Sequence, residues 1–435
     1  MRQLGVLFSF ETTLVLFLFA GVYKEDLRFA WIPGDLTVNA FLLSFITGLY
    51  LLVRRGVVLR REGMMITGLG LLLVVWAFIS YLWSPSLNYS LRKIALLGSL
   101  TLWPLASFAI VVASERRRLL RFFTVLFIFS MWIGLESAFA LAMAALKGIR
   151  GFITTSLSTN YLGLGRVIGP GAVVLVSVYF GFLHRAWQKV LGALLILFYA
   201  LLMLGIGSRG PFLAMFAACL LVVLISIRPA RNIRVITARL LTVMLGLSLM
   251  LGIVFFYMSS GAELPRTINR LQKAQEEGFS GSTRFSGYST TWMLLEESPL
   301  WGRGVGSWPV VTGRGDIRAY PHNIFLEVFF ELGLVGLLLF TAMLVYPLTL
   351  LPGIRGLRED PLLLLALAQY LSAFINANLS GDLNDNKLLW ASMGMMVIAA
   401  LQRRSSAAAL PSAAAQPSPA GGHRSPAACA PQSPS

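Results

Sequence analysis

The chain has 435 residues, of which 57% are hydrophobic and only 13% charged, with a net charge of +17. Soluble domains carry roughly 25% charged residues, so the composition excludes an ordinary soluble protein and indicates one built into a membrane. The basic excess does not point to nucleic acid, because it is concentrated in alternate short connections between apolar runs.

A membrane-crossing helix needs about 20 mostly apolar residues. The sequence predicts twelve, near 4–22, 36–53, 64–83, 94–113, 120–146, 168–183, 190–207, 211–227, 240–258, 323–350, 361–377 and 388–402. The first lacks a small-residue cleavage site and contains Glu11, so it reads as a retained helix and not as a signal peptide. Basic clusters follow every second window: Arg54, Arg55, Arg60 and Arg61; Arg116, Arg117, Arg118 and Arg121; Arg185 and Lys189. Arg228, Arg231, Arg234 and Arg239 continue the series, then Arg355 and Arg358, then Arg403 and Arg404. By the positive-inside rule both termini are cytoplasmic, and 23–35, 84–93, 147–167, 259–321 and 378–387 lie outside.

The expected fold is therefore an all-α integral membrane protein. Residues 1–258 form an N-terminal bundle of nine helices, 259–321 an extracytoplasmic loop domain, and 322–404 three further membrane helices. The Ala-, Pro- and Ser-rich tail 405–435 cannot bury enough surface to offset its ordering entropy and is expected to be disordered. Cys219 falls in a helix and Cys429 in the tail, so no disulfide framework is expected. The sequence shows no internal repeat, which weighs against an inverted-repeat transporter.

The large loop reads as two helical pieces with glycine-rich joints. Leu264–Glu277 suits either a helix lying on the membrane surface or a solvated helix packed on the bundle. Ser282 and Thr283 offer caps to a second helix running through Trp292 to Glu297, which Ser298-Pro299 stops. Trp301 to Gly306 (WGRGVG) is too glycine-rich for a regular element. It predicts a tight turn in which backbone approaches backbone or ligand.

Three arginines stand outside the topological clusters. Arg209, in Gly207-Ser208-Arg209-Gly210-Pro211, opens a helix directly after the previous one ends, with Ser208 as cap. Arg284 opens the second loop helix, and Arg166 ends an outer loop. A guanidinium at a helix N-terminus adds to free N–H groups that already favour an anion, and it grips phosphate bidentately. The plainer alternative is that all three are interfacial anchors. His322, after Tyr320-Pro321, opens the tenth membrane helix, where the helix dipole favours a neutral imidazole able to act as a general base. Asn323, Glu327 and Glu331 form a polar stripe down that helix, and carboxylates at such depth face a cavity or a partner. Asp382 and Asp385 (GDLNDNK) could hold a cation or be simply solvated. No zinc-type Cys/His set, Walker loop or GxSxG elbow occurs. His184 belongs to a cytoplasmic anchor, and His423 lies in the tail.

Over roughly 205–340 the sequence resembles the O-antigen ligase/polymerase family of bacterial envelope glycosyltransferases. The resemblance rests on Ser208-Arg209-Gly210, Ser282-Thr283-Arg284 with Trp292, and Ser298 to Gly304 (SPLWGRG). It continues through His322-Asn323, Leu326-Glu327 and Glu331 to Gly336 (ELGLVG), while the N-terminal half matches only in helix count and hydropathy.

The resemblance implies a GT-C-like helical bundle in the bacterial inner membrane. It implies transfer of a glycan from undecaprenyl diphosphate to an acceptor hydroxyl on the periplasmic side, without cofactor, nucleotide sugar or metal. For a ligase the donor is undecaprenyl-diphosphate-linked O-antigen and the acceptor is lipid A-core oligosaccharide. For a polymerase the acceptor is another lipid-linked repeat, and protein-glycosylating members also exist. Chain length and the single late loop look more like a ligase. The implied roles are His322 as base and Arg209, Arg284 and Arg166 as the diphosphate clamp, with Tyr320, Asn323, Glu327 and Arg303 supporting. From another class, a transporter of an anionic lipid-linked glycan would explain the helices and buried carboxylates but not a helix-mouth histidine beside a large outer loop.

Overall fold

The structure, a computed structural model, describes residues 9–56, 59–146, 161–227 and 283–408. The expected helix 240–258, the loop helix Leu264–Glu277 and the tail beyond 408 lie outside the described residues, as does the side chain of Arg284.

Among the described residues the chain is helical, with no strand. In order, the helices are α1 (Phe10–Phe19, prolonged by a 3₁₀ turn to Tyr23), α2 (Leu36–Arg55), α3 (Arg61–Ser80), α4 (Asn88–Leu96) and α5 (Leu102–Ile110). There follow α6 (Arg116–Leu146), α7 (Tyr161–Gly181), α8 (Ala186–Ile206), α9 (Arg209–Ser226), α10 (Thr283–Leu295) and α11 (Trp308–Val311). The last are α12 (Ile324–Thr349), α13 (Ile354–Glu359), α14 (Pro361–Leu379) and α15 (Lys387–Ala408). A π turn at Leu97–Thr101 joins α4 to α5. Nine helical stretches among the described residues are long and apolar enough to cross a membrane. The Phe10–Tyr23 helix is shorter, and α15 is not among the nine.

Two boundaries differ from expectation, and both matter. α4 begins at Asn88, so most of the expected outer loop 84–93 is helix. α7 begins at Tyr161, so Arg166 lies in its second turn and not at the end of a loop.

The apolar windows of α7 and α14 are 72% and 67% buried, against 11% for α2. The first two are therefore central, and α2 shows its side chains to the surroundings. Small residues let α7 pack closely: Gly165 lies against Ser208 and Pro211, and Gly171 against Ser130. Pro170 interrupts α7, and Gln369 of α14 donates to its carbonyl at 2.7 Å.

Among the described residues, several of the basic clusters gather at one end, while the cluster at 228–239 lies outside them. Arg55 pairs with Glu115 at 2.7 Å, and Arg60 reaches Ser405 at 3.3 Å. Arg116 grips Asp360 with two bonds of 2.9 and 2.6 Å, and Asp360 also caps α14 through the Leu362 and Leu363 amides. Arg403 pairs with Glu359 at 3.1 Å. Segments 84–90, 302–323 and 380–386 meet at the opposite end.

Candidate active site

The outer end is organised by a break in α12. Gly333 has φ +64° and ψ −165°, so Ile324–Leu332 and Leu334–Thr349 are two helical pieces joined by one non-helical residue. A break inside an apolar segment strands backbone groups that must find partners. They find them in the glycine turn: Arg303 N donates to Phe330 O and Leu334 N to Pro299 O, both at 2.9 Å, while the Trp76 indole donates to Leu332 O at 2.8 Å. Gly302 has φ +71° and lies so close to the Glu331–Gly333 backbone that a Cβ would overlap it. The expected close approach of backbone to backbone at 301–306 is present, and its partner is the broken helix.

Beneath the break lies a buried charge centre that sequence reasoning missed. Lys93 of α4 is fully buried and reaches Glu327 at 2.5 Å and Glu331 at 2.8 and 2.9 Å. The Gly306 amide donates to Glu331 at 2.8 Å, and the Leu383 amide to Glu327 at 3.0 Å. Asn384 Nδ2 donates to the Lys93 carbonyl at 3.1 Å. The polar stripe on α12 thus faces a partner: the ammonium bonds both glutamates, and amides from the 302–306 turn and the 380–386 segment complete the carboxylates' shell. Asn323, the top of the stripe, is the N-cap of α12, accepting from the Phe325 and Leu326 amides at 3.0 Å.

Arg318 connects this centre to His322. It donates to Asp382 at 3.0 Å, pairs with Asp385, and its guanidinium lies 5.7 Å from the Tyr320 ring centroid. The two acids considered as cation ligands therefore hold an arginine. Burial acts to raise the Asp382 carboxyl, but Arg318 and Lys93 outweigh it and hold the group below the usual range. Burial, with the charges of Asp385 and Asp382, pushes the Tyr320 phenol up to about 12, so it stays protonated. The Tyr320 ring stands edge-on to His322 at 4.7 Å between centroids.

His322 does not open the helix: it precedes the cap Asn323 and has φ +63°, the only positive value among the described non-glycine residues. Such a conformation costs about 1–2 kcal/mol for an L-residue and is held by its surroundings. The Tyr288 hydroxyl donates to the His322 carbonyl at 3.3 Å, and Gly287 lies against the Pro321 carbonyl. α10 is thereby seated one turn after Arg284, which puts the helix start that bears Arg284 near the histidine.

The other proposed clamp residues fall at the same end. Arg209 is the first residue of α9 after Ser208, which occupies the cap position without a side-chain cap bond. Gly210 packs on Leu379 at the end of α14, two residues before Gly381, which touches the Arg166 guanidinium. Arg166 lines a cleft of about 530 Å³ with Arg318, Tyr320, Asn376 and Asp385. Arg303 is committed elsewhere, to the Leu294 carbonyl at 3.1 Å and to Glu297, so it braces α10. Among the described residues no group of three His, Cys, Asp or Glu is placed to hold a metal ion.

Residues 192–341 match the family model described as O-antigen ligase (Wzy_C). The match covers about a third of the chain. The matched segment runs from α8 into α12 and contains Arg209, Arg284, the glycine turn, His322, Glu327 and Glu331. Lys93, Arg166, Asp382 and Asp385 lie outside it and complete the same end of the molecule from other helices. The match supports an enzyme of the O-antigen ligase or polymerase kind, on a multi-pass helical scaffold. Comparison with curated proteins gives no match.

Proposed function

We propose that the protein is an O-antigen ligase of the bacterial inner membrane, acting on the periplasmic face with both termini in the cytoplasm. It transfers a glycan from undecaprenyl diphosphate to a hydroxyl of lipid A-core oligosaccharide. The observation that carries this reading is the position of His322. Within the matched segment, it is held in a strained conformation at the end opposite the basic clusters, against Tyr288 of α10 and in contact with Tyr320.

In this reading the acceptor oxygen attacks the anomeric carbon from the face opposite the diphosphate. The carbon–oxygen bond to phosphate breaks, its electron pair leaves with the diphosphate, and His322 takes the acceptor proton. The product has inverted configuration. Arg209, Arg284 and Arg166 bind the leaving diphosphate, whose charge grows in the transition state, so fixed guanidinium groups lower the barrier. Arginine supplies the charge stabilisation that a metal ion provides in other phosphate chemistry.

The test is a lipopolysaccharide gel of a strain lacking the protein. Loss of all O-chain from lipid A-core supports ligation. Retention of a single repeat would instead assign polymerisation, and an unchanged ladder would refute both.

A further inference from the structure

The outer cleft holds two kinds of buried polar group without a hydrogen-bond partner. Nε and Nη2 of Arg166 are donors, buried and unbonded among the described residues. Oδ1 of Asn376 is an acceptor, equally buried, on a residue only 7% exposed. Both residues line the cleft. Buried polar groups are nearly always satisfied, so orphans of both kinds in one cavity mark a ligand that both accepts and donates.

Asp385 adds a second acceptor. Its Oδ2 holds Arg318, and the residue is exposed, which leaves Oδ1 accessible. The groups are neighbours: from the position a Cβ would take on Gly381, Arg166 Nη2 lies at 2.5 Å and the Asp385 Cβ at 3.2 Å. Gly381 has φ +85°, and the absence of a side chain there keeps the space between them open. Tyr320 contributes an aromatic wall on the side towards His322.

A free anion would use the arginine but not the two acceptors. A free sugar would use the acceptors but leave the Arg166 donors without an anion. A sugar bonded directly to phosphate uses all of them. We propose that Asp385, Asn376 and Tyr320 form a pocket for the first sugar of the donor glycan, the one attached to the diphosphate, with Arg166 on the adjoining phosphate. This rests on the donor reading above and extends it to sugar recognition: the two acceptor oxygens take ring hydroxyls, and their placement selects among epimers.

Binding to the purified full-length protein tests the pocket, using two probes: undecaprenyl diphosphate, and undecaprenyl diphosphate carrying a single hexose. Asn376→Leu and, independently, Asp385→Ala should weaken the hexose-bearing lipid about 10-fold or more, as expected for a lost hydrogen bond to a buried or charged group. Both should leave the bare lipid within about twofold of wild type. Asp385 is itself exposed, so its variant stays informative if Asn376→Leu fails to fold. Equal weakening of both probes by the pocket variants, or no weakening of either, overturns the pocket while the diphosphate site stands. Wild-type protein that binds neither probe overturns the donor reading and the pocket with it.

Discussion

His322 combines a reactive ring with a backbone conformation that alanine tolerates poorly and glycine tolerates freely. His322→Gly should therefore be more stable than His322→Ala by about 1 kcal/mol, read as a higher unfolding temperature in detergent, although neither retains the imidazole. Equal stability of the two variants would show that the positive φ carries no strain. Lys93 makes a different demand. Its loss leaves Glu327 and Glu331 buried without a counter-charge, which costs about 3–5 kcal/mol for a broken buried pair. Lys93→Met should fold poorly, and the triple variant Lys93→Met, Glu327→Gln, Glu331→Gln should recover much of the loss. Normal yield and melting of Lys93→Met would remove the charge centre as a structural support. Lys93 was not legible from sequence, because it fell in an expected outer loop where a basic residue reads as solvated. Arg318 escaped for a similar reason: two aspartates 64 and 67 residues away are its partners, and only the fold brings them to it.

Among the elements, the broken α12 and the turn Pro299–Gly306 stabilise each other. The turn was legible from its glycines. The break was not, since Glu331 to Gly336 reads as an uninterrupted apolar helix and only the neighbouring turn gives its stranded groups partners. Gly333→Ala places a Cβ into the Leu300 carbonyl and forces a left-handed alanine, so it should cost about 3 kcal/mol or more. Gly313→Ala, also at positive φ but in open space, should cost only the backbone term of about 1–2 kcal/mol. Melting temperatures that rank the two the other way would contradict the interlock.

Asp316 anchors the following stretch, 317–323, to the start of α4, accepting from the Ser86 hydroxyl at 2.6 Å and from the Asn88 amide at 2.8 Å. The Ser86 bond, followed by the backbone amides, outweighs burial and holds its carboxyl below the usual 3.8. A depressed carboxyl contributes stability that is present above the unfolded value and lost as pH falls through the folded one. The wild type should therefore lose about 1 kcal/mol of this anchor below pH ~4. Asp316→Ala should lack it at every pH. A pH-independent difference in melting between the two would sink the assignment.

At the scale of the whole molecule, the alternation of basic clusters was the most legible feature, because it follows from insertion and not from packing. In the structure, bonds from Arg55 to Glu115, Arg60 to Ser405, Arg116 to Asp360 and Arg403 to Glu359 gather residues of several clusters at one end. The candidate site lies at the other. A cysteine replacing Arg284 should react with an impermeant reagent in intact cells, and one replacing Arg117 should not; the reverse pattern would invert the protein and place His322 in the cytoplasm. What the sequence showed only in part was how the site closes. The matched segment supplies the histidine and two arginines, whereas Arg166, Lys93 and the 382–385 loop arrive from helices whose apolar sequences carry no family motif. Because Arg318 occupies Asp382 and Asp385, excess chelator should leave transfer intact. Loss of transfer that a divalent ion restores would reassign those acids.

In the proposed reaction His322 serves the acceptor hydroxyl and the arginines serve the donor diphosphate. Turnover and donor binding measured together on purified protein, with undecaprenyl-diphosphate-linked glycan as donor and lipid A-core as acceptor, test it directly. His322→Ala should lower turnover by about 10²–10⁴-fold with donor affinity nearly unchanged. Arg209→Ala and Arg284→Ala should lower both, with only partial rescue by lysine, which keeps the charge but not the planar fork. A folded His322→Ala protein that transfers glycan at close to the wild-type rate would rule out His322 as the base.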